Sequence, residues 1–532
     1  MRRLLCISYI VILCSACNKV PDYAHKIPED AELAAVLNLK KIGRQISWNK
    51  ISGGDFFSKK DSSIDNDFLN DIQNSGLDLN CPFFLFTYGM NAKARGIYAL
   101  AKISDSLKFD EWMHLQYPKV ETKSKHGFQF FMIDQGQTTF AIKNKNLICC
   151  FEKTAGKKDE ALSFDAEKQI ETIYNLPDSN SLTKKSYFKN FLAESSDIGI
   201  LLNNEQRLKN ARQQEDNGLS SLKGPAEIKN KAMSLGINFK KGSLDLSFKS
   251  YLSKKLLQAY RRNQHHPVNP KLYNKLGDPN LCLLSCIHLN PKLLLEQYGE
   301  GPIGDVMNLL FKNSEANKID LEKSFNGELA LAMTDFAIEE TSINENNTMG
   351  YEPKMNYILI AGIQEKNRTQ KLLKAAISEK LLTKKGGSLA FVDNPKNKLS
   401  LHNKFASISN SDSLRYNYIK RKGQRTKLPK GTIKHFKHDR FALYAHIGKM
   451  INAFPRDGMD EKENEVFQNL QNTFTYVSIW GGETTATALS YKGQIFFKNK
   501  NENSLLQLIQ IIKQIEQVEQ VKEMELLTPS EI

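Results

Sequence analysis

For a chain of 532 residues this sequence is poor in cysteine, tryptophan and proline, with 8, 3 and 16 of each. Cysteine at that density excludes a disulfide scaffold, which needs about 8–10%. So little proline excludes a polyproline-rich or low-complexity chain. After the first sixteen residues no uncharged apolar run reaches the roughly 20 residues a membrane helix needs. Several signatures of chemistry are missing as well. There is no phosphate loop G-x-x-x-x-G-K-[ST], no H-E-x-x-H, no G-x-S-x-G and, after the Cys14-Ser-Ala-Cys17 of the leader, no C-x-x-C. These absences remove the commonest phosphate, zinc-hydrolase, serine-hydrolase and dithiol sites, so no cofactor or metal is expected. Acid is also in deficit, 59 Asp and Glu against 74 Lys and Arg, for a net charge of +15. Such a balance suits anionic neighbours: phospholipid, acidic glycan or nucleic acid.

What is present is an ordinary globular composition, 40% apolar and 25% charged, long enough for two to four domains. Residues 1–16 read as a signal peptide. Arg2 and Arg3 precede the apolar run Leu4–Leu13, and Ser15-Ala16 lead to Cys17. Small residues before a cysteine are what a bacterial lipoprotein signal requires, with Cys14 in place of the usual leucine. Cys17 is then the lipid attachment and the only membrane anchor, followed by a tether over 17–27. Stable anchoring needs more than one acyl chain. Of the cysteines left in the mature chain, Cys81, Cys149, Cys150, Cys282 and Cys286 lie in apolar runs and are expected to be buried free thiols.

Strand and helix patterns then run in an order that occurs twice. Leu33–Leu39 reads as a strand apolar on both faces, followed by a helix over Lys40–Ile46. Phe68–Ile72 reads as a helix. Pro82–Thr87 and Ile97–Ile103 read as strands, and Ser104-Asp105-Ser106 caps a helix carrying Phe109, Trp112 and Met113. Three short strands follow at Phe128–Ile133, Thr138–Ile142 and Leu147–Phe151. Ser196–Asn204 is strand into helix, and a hairpin turns at Lys241-Gly242. The second pass matches Leu281–Ile287 to Leu33–Leu39 and Leu329–Thr334 to Pro82–Thr87. It matches Tyr357–Ile363 to Ile97–Ile103, and the Leu372-Leu373 helix to Trp112-Met113. Phe441–Ile447 answers Ile198–Asn204, and Tyr491–Lys498 answers the Gly242 hairpin. Six pairings in one order indicate an internal duplication. The expected fold is α+β, two tandem copies of a mainly antiparallel sheet with helices packed on one face. The copies span 28–264 and 280–520, with a Pro-rich linker at 265–279 and a tail at 521–532.

Candidate chemistry is sparse. Gly299-Glu-Gly-Pro-Ile-Gly304 has the dinucleotide spacing, but a helix precedes it and Pro302 lacks the N–H a phosphate would need. His265-His266 and His435/His438 have no cysteine or carboxylate cluster beside them. His288 and His446 read as polar caps at matching strand ends. Asp105-Ser-Leu and Asp412-Ser-Leu have a short O-glycosylation pattern. The densest signal is the run Arg415–Arg440, with ten Lys or Arg and one acid, Asp439. Tyr416, Tyr418 and Phe436 are interleaved. Read as a loop or an exposed ribbon, it makes Arg421, Lys422, Arg425, Lys427 and Lys430 candidate anion-binding residues, suited to anionic glycan, lipopolysaccharide or headgroups.

The segment Tyr23–Ala31 after the cysteine, the Leu33–Leu39 strand and the Ile97–Asp105 segment resemble a family of Bacteroidota lipoproteins known as a domain of unknown function. The resemblance implies an outer-membrane lipoprotein, on the periplasmic or the surface face, and brings no catalytic residues. The expected role is non-enzymatic binding or scaffolding in the cell envelope, attached to the membrane through lipid. The rivals are an envelope glycan or peptide hydrolase whose acids meet only in the fold, and an anionic-glycan binder using the 415–440 loop. Nucleic acid is not expected in that compartment.

Overall fold

The computed structural model describes residues 20–46, 73–89, 96–133, 138–152, 165–207, 209, 230–262, 267–298, 307–308, 311, 314–341, 350–385, 388–420, 426–456 and 459–527. The chain forms two compact units. The first holds the residues up to Leu222 with Ile228–Phe239 and Ser247–Ser253; the second holds Lys240–Leu246 and everything from Lys254.

Ten strands belong to the first pass: β1 Leu33–Leu37, β2 Phe83–Tyr88, β3 Gly96–Lys102, β4 Glu121–Lys125, β5 Phe128–Ile133, β6 Thr138–Lys143, β7 Asn146–Glu152, β8 Ile198–Asn203, β9 Asn230–Lys240 and β10 Ser243–Leu252. All pair antiparallel, in the order β9-β8-β1-β2-β3-β7-β6-β5-β4, with β10 on β9. The second pass has β11 Leu281–His288, β12 Phe325–Thr341, β13 Gly350–Ile363, β14 Leu382–Lys385, β15 Ser388–Phe391, β16 Lys398–Leu401, β17 Phe405–Ser409, β18 Phe441–Ala445, β19 Phe474–Thr484 and β20 Ala488–Phe497. Their order is β20-β19-β18-β11-β12-β13-β17-β16-β15-β14, also antiparallel throughout.

Each strand of the second pass thus occupies the position of its counterpart ten places earlier. The registers agree residue by residue. Ala34 lies between Phe86 and Leu201, and Leu284 lies between Ala332 and Tyr444. Asn38 N donates to Asp197 O at 2.9 Å, and His288 N donates to Arg440 O at 2.8 Å. The duplicated α+β architecture is therefore present in the hydrogen-bond ladder itself. Ladder pairing corrects three matches. Tyr491–Phe497 falls within β20, and the counterpart of the Lys241-Gly242 turn lies at Thr485, whose N–H donates to Ala488 O at 2.8 Å. The ladder also moves the Leu281–Ile287 match by two residues, which leaves every side chain on the same face because strands repeat with period two. It moves the Leu329–Thr334 match by one, since Phe86 and Ala332 hold the same position, which exchanges its faces.

Alternation explains how the sheets bury their residues. On one face of the first sheet Phe84, Phe86, Tyr98, Leu100 and Leu201 are buried. Helices Ala166–Tyr174 and Ser186–Ala193 supply Ile170, Ile173, Phe188 and Phe191 to the same core. Gly199 is required there, because a Cβ would meet the Phe191 ring and Val36 at 2.8 Å. The helix Ser106–Gln116 goes to the other face, where Phe109 and Met113 pack with Ala101, Phe131 and Leu147. Helices therefore lie mainly, but not only, on one face. Asp105 caps that helix, accepting from Leu107 N at 3.1 Å and Lys108 N at 3.2 Å.

The core of the second unit gathers Leu284, Cys286, Ala330, Ala332, Ile358, Ile360, Ala442 and Tyr444 from the strands, and Val268, Leu272, Tyr273 and Leu276 from the segment expected to be a linker. One of the prolines there starts a helix, Pro270–Tyr273, with Asn269 as its cap and Pro270 at its first position. Apolar residues at that spacing bury themselves once a sheet face is available. All five cysteines are free, and all but Cys81 are buried. Strands β4 and β14–β17 have no counterpart in the sequence reading, because they are only four or five residues long and too polar to alternate clearly. The Phe68–Ile72 helix lies outside the described residues.

One buried charge makes a measurable pH dependence. Asp320 is 3% exposed and sits in the helix Lys318–Ser324, where it completes a capping box with Asn317. Burial pushes its carboxyl up, but Lys371 at 3.1 Å, Arg368 at 2.7 Å and the Asn317 N–H at 3.1 Å outweigh that and hold it below the usual range. A depressed carboxyl contributes stability above its unfolded pKa and loses it as pH falls through the folded value. Asp320→Asn should cost about 1–3 kcal/mol at pH 7. The same change should flatten the acid limb of the unfolding midpoint below about pH 4. An acid limb of unchanged slope in the variant would sink the assignment.

Candidate functional site

Among the described residues most of the basic stretch is helical, with irregular backbone at 426–429. Asp412–Ile419 is capped by Ser411 and Lys430–His438 begins after Pro429. Two of the aromatics that looked like an exposed binding surface are structural. Tyr418 is buried and donates to Leu272 O at 3.0 Å, and Phe436 is 1% exposed beneath the Lys430–His438 helix. Tyr273 donates to Phe436 O at 3.0 Å, and Thr426 Oγ1 donates to Tyr273 O at 2.7 Å. The supposed loop and the supposed linker thus hold each other down over one sheet face. Tyr416 alone of the three aromatics is exposed.

With Thr432 and Phe436 turned inward, the other side of that helix carries Lys430, Lys434 and Lys437 at i, i+4 and i+7, with Lys427 just before it. All four are exposed, and among the described residues none makes an ion pair. Of the expected anion-binding residues, Lys427 and Lys430 belong to this face, whereas Arg421, Lys422 and Arg425 lie outside the described residues. Cys17 does too. Sequence reasoning missed Lys434 and Lys437, although the 3.6-residue period of Thr432, Phe436 and the lysines would have found them.

Next to this face, His435 stacks on Trp480 with ring centroids 3.8 Å apart and accepts or donates at 2.8 Å with Asp439. Burial pushes the His435 imidazole below its ordinary pKa against the pull of Asp439. It is a neutral packing group, so the local charge belongs to the lysines. The capping expectation holds for His446, whose Nδ1 accepts from Lys449 N at 3.2 Å; His288 Nε2 instead contacts Asn326 O at 3.1 Å.

A hydrolase would need a cleft bringing acids together. The first unit has a polar cavity of about 280 Å³ at the end of β1, β2 and β8, lined in part by Glu29, Asp30, Tyr88, Tyr187, Asn203 and Glu205. Partial shielding at its rim holds the Asp30 carboxyl above the usual range. Glu29 is paired with Lys185 at 2.5 Å, so it is committed as a counter-charge. The Tyr187 hydroxyl is buried without a hydrogen-bond partner. No acid–acid hydrogen bond joins these carboxylates among the described residues, and the nucleophile–base geometry of a hydrolase is not assembled there. Among the described residues no three His, Cys, Asp or Glu cluster as a metal site. The G-x-G-x-x-G segment and His265-His266 lie outside the described residues. No helix among those described is long and apolar enough to cross a membrane.

No family model matches the chain, and no curated protein does. Among solved structures, crystal forms III, IV and I of a protein titled TP0453 align at TM-scores of 0.26, 0.26 and 0.27 and 12%, 12% and 11% identity. They cover 46–47% of this chain and 87–90% of that one. Similarity at this level carries no argument about fold or function here.

Proposed function

We propose that the chain is a cell-envelope protein, held to the outer membrane by lipid on Cys17, that binds an anionic glycan such as lipopolysaccharide without transforming it. The observation that carries this is the exposed lysine face Lys427/Lys430/Lys434/Lys437. Its helix is locked to the core by Phe436, so the charges are preorganised rather than mobile. Lys430 occupies the first helical turn, where the helix dipole disfavours a cation. Its placement therefore does nothing for the helix and is consistent with a ligand's negative charge. Arg421, Lys422 and Arg425, in the adjacent sequence, add to the same anionic preference.

The anchor and the face are separable in experiment. Cells fed labelled palmitate should label the native protein and not Cys17→Ala; label persisting in the variant would end the anchoring claim. For the face, purified protein is titrated with lipopolysaccharide at low salt, with the four lysines changed to serine. Unaltered binding would overturn the reading. The hydrolase reading is favoured by no specific observation beyond the Asp30 cavity.

A further inference from the structure

The two units carry opposite charges at one matched position. In the first, Asp197 stands just before β8 and is fully buried. Its carboxylate is matched on every side: Phe239 N donates at 2.8 Å, Gln45 Nε2 lies 3.2 Å from both oxygens, and Lys41 Nζ is at 3.6 Å. In the second unit the residue just before β18 is Arg440, fixed by the same backbone bond, from His288 N where the first unit uses Asn38 N. Counting on from that bond, Pro291 and Leu295 stand where Lys41 and Gln45 stood. The charge has been reversed, and among the described residues no acid pairs with it.

Arg440 is half-buried, and its enclosed Nε has no hydrogen-bond partner among the described residues. Among the described residues its guanidinium makes no ion pair. Tyr491 lies beside it, since a Cβ on Gly482 would stand 3.3 Å from the Arg440 Cβ and 3.9 Å from the Tyr491 ring, and Tyr260 is close to both. Burial lowers the guanidinium pKa, the direction expected of a cation without a counter-charge. Burial likewise raises the phenol of Tyr491, so it is a protonated donor at neutral pH. The backbone is shaped around the arginine. Gly481 and Gly482 take φ of +134° and +90° in a bulge of β19, and a Cβ on Gly482 would come within 3.3 Å of the Arg440 Cβ. Glycine is needed for both the dihedral and the space.

A partly desolvated charge without a partner destabilises a fold unless something else supplies the opposite charge. Guanidinium and phenol hydroxyls are all donors, and together they suit an acceptor with several anionic oxygens. We propose that Arg440, with Tyr260 and Tyr491, is a binding site for a phosphate group. It is independent of the lysine face, because it rests on a partnerless half-buried arginine and not on surface charge.

Two probes separate the sources of such a group: inorganic phosphate, and phosphatidic acid in phosphatidylcholine vesicles. The native protein should bind at least one of them saturably, against chloride at matched ionic strength. Arg440→Met keeps the apolar stem and should weaken that binding at least tenfold. The same variant should melt higher than the native protein in phosphate-free buffer, because an uncompensated charge is gone. Arg440→Lys keeps the charge without the fork and should bind with intermediate strength, which guards against misfolding of the methionine variant. Serine substitution of Lys430, Lys434 and Lys437 should leave inorganic phosphate binding intact. The site is overturned if neither probe binds saturably. It is equally overturned if Arg440→Met binds as the native protein does, or if the lysine variant loses inorganic phosphate as fully as Arg440→Met.

Discussion

Replacing Lys427, Lys430, Lys434 and Lys437 by serine should reduce affinity for an anionic envelope surface about a thousandfold at low salt. A lysine held close to an anionic surface contributes about 1 kcal/mol, so four on one face amount to about 4 kcal/mol. The figure needs all four to reach the surface together; Lys430, Lys434 and Lys437 share one helix face and Lys427 lies just before it. Screening sets the salt dependence. With a Debye length of about 8 Å at physiological ionic strength, most of the effect should disappear by 0.5 M salt. Titration of lipopolysaccharide by calorimetry, native against variant at two salt concentrations, measures both. A loss below tenfold at low salt, or a loss that persists at high salt, would mean that the lysines are solvated surface. Melting temperature should hardly change, since exposed substitutions away from caps and cores usually stay within about 0.5 kcal/mol.

Phe436→Ala should be the most destabilising single change in this region, at about 3–5 kcal/mol. The ring is 1% exposed and packs in the core formed by Tyr273, Tyr418 and the strands β11, β13 and β18, with Tyr273 5.7 Å away. Removing it leaves a cavity that the helix cannot close, because Thr426 and Tyr273 still tie its neighbours in place. Hydrogen exchange should show the loss in the Lys430–His438 helix and in Pro270–Tyr273 before the rest of the second unit. With two units in the chain a single melting temperature need not be two-state, so exchange is the better readout. The variant should also bind anionic glycan more weakly, since a loosened helix no longer presents its lysines together. If Phe436→Ala matched Tyr416→Ala, whose ring is half-exposed, in exchange and in melting, the helix would not be anchored through that ring.

The clearest sequence signals were the strands that are apolar on both faces. Tyr357–Ile363 and Phe441–Ile447 match their partners in the same register as the ladder, because seven alternating residues allow few alternative alignments. Strands β14 to β17, at four or five residues, carry too little pattern to be read alone; they form because β13 offers an edge at β17 and each next strand extends it. The basic run was readable as charge, but its secondary structure was not. Its place between strand units suggested a loop or an exposed ribbon, and what holds Asp412–Ile419 and Lys430–His438 as helices is burial of Tyr418 and Phe436 against residues 268–276. Such a contact spans about 150 residues of sequence, far outside any local window.

By itself the sequence determined the α+β class, the duplication, the free thiols and a cationic stretch before the last strand group, since these depend on composition and short-range period. Tertiary structure alone decided which cations are presented together, that the Pro-rich segment is core, and that Arg440 stands where the other unit has a satisfied aspartate. Those facts depend on which side chains oppose one another across a sheet, and opposition is set by register and packing between distant segments.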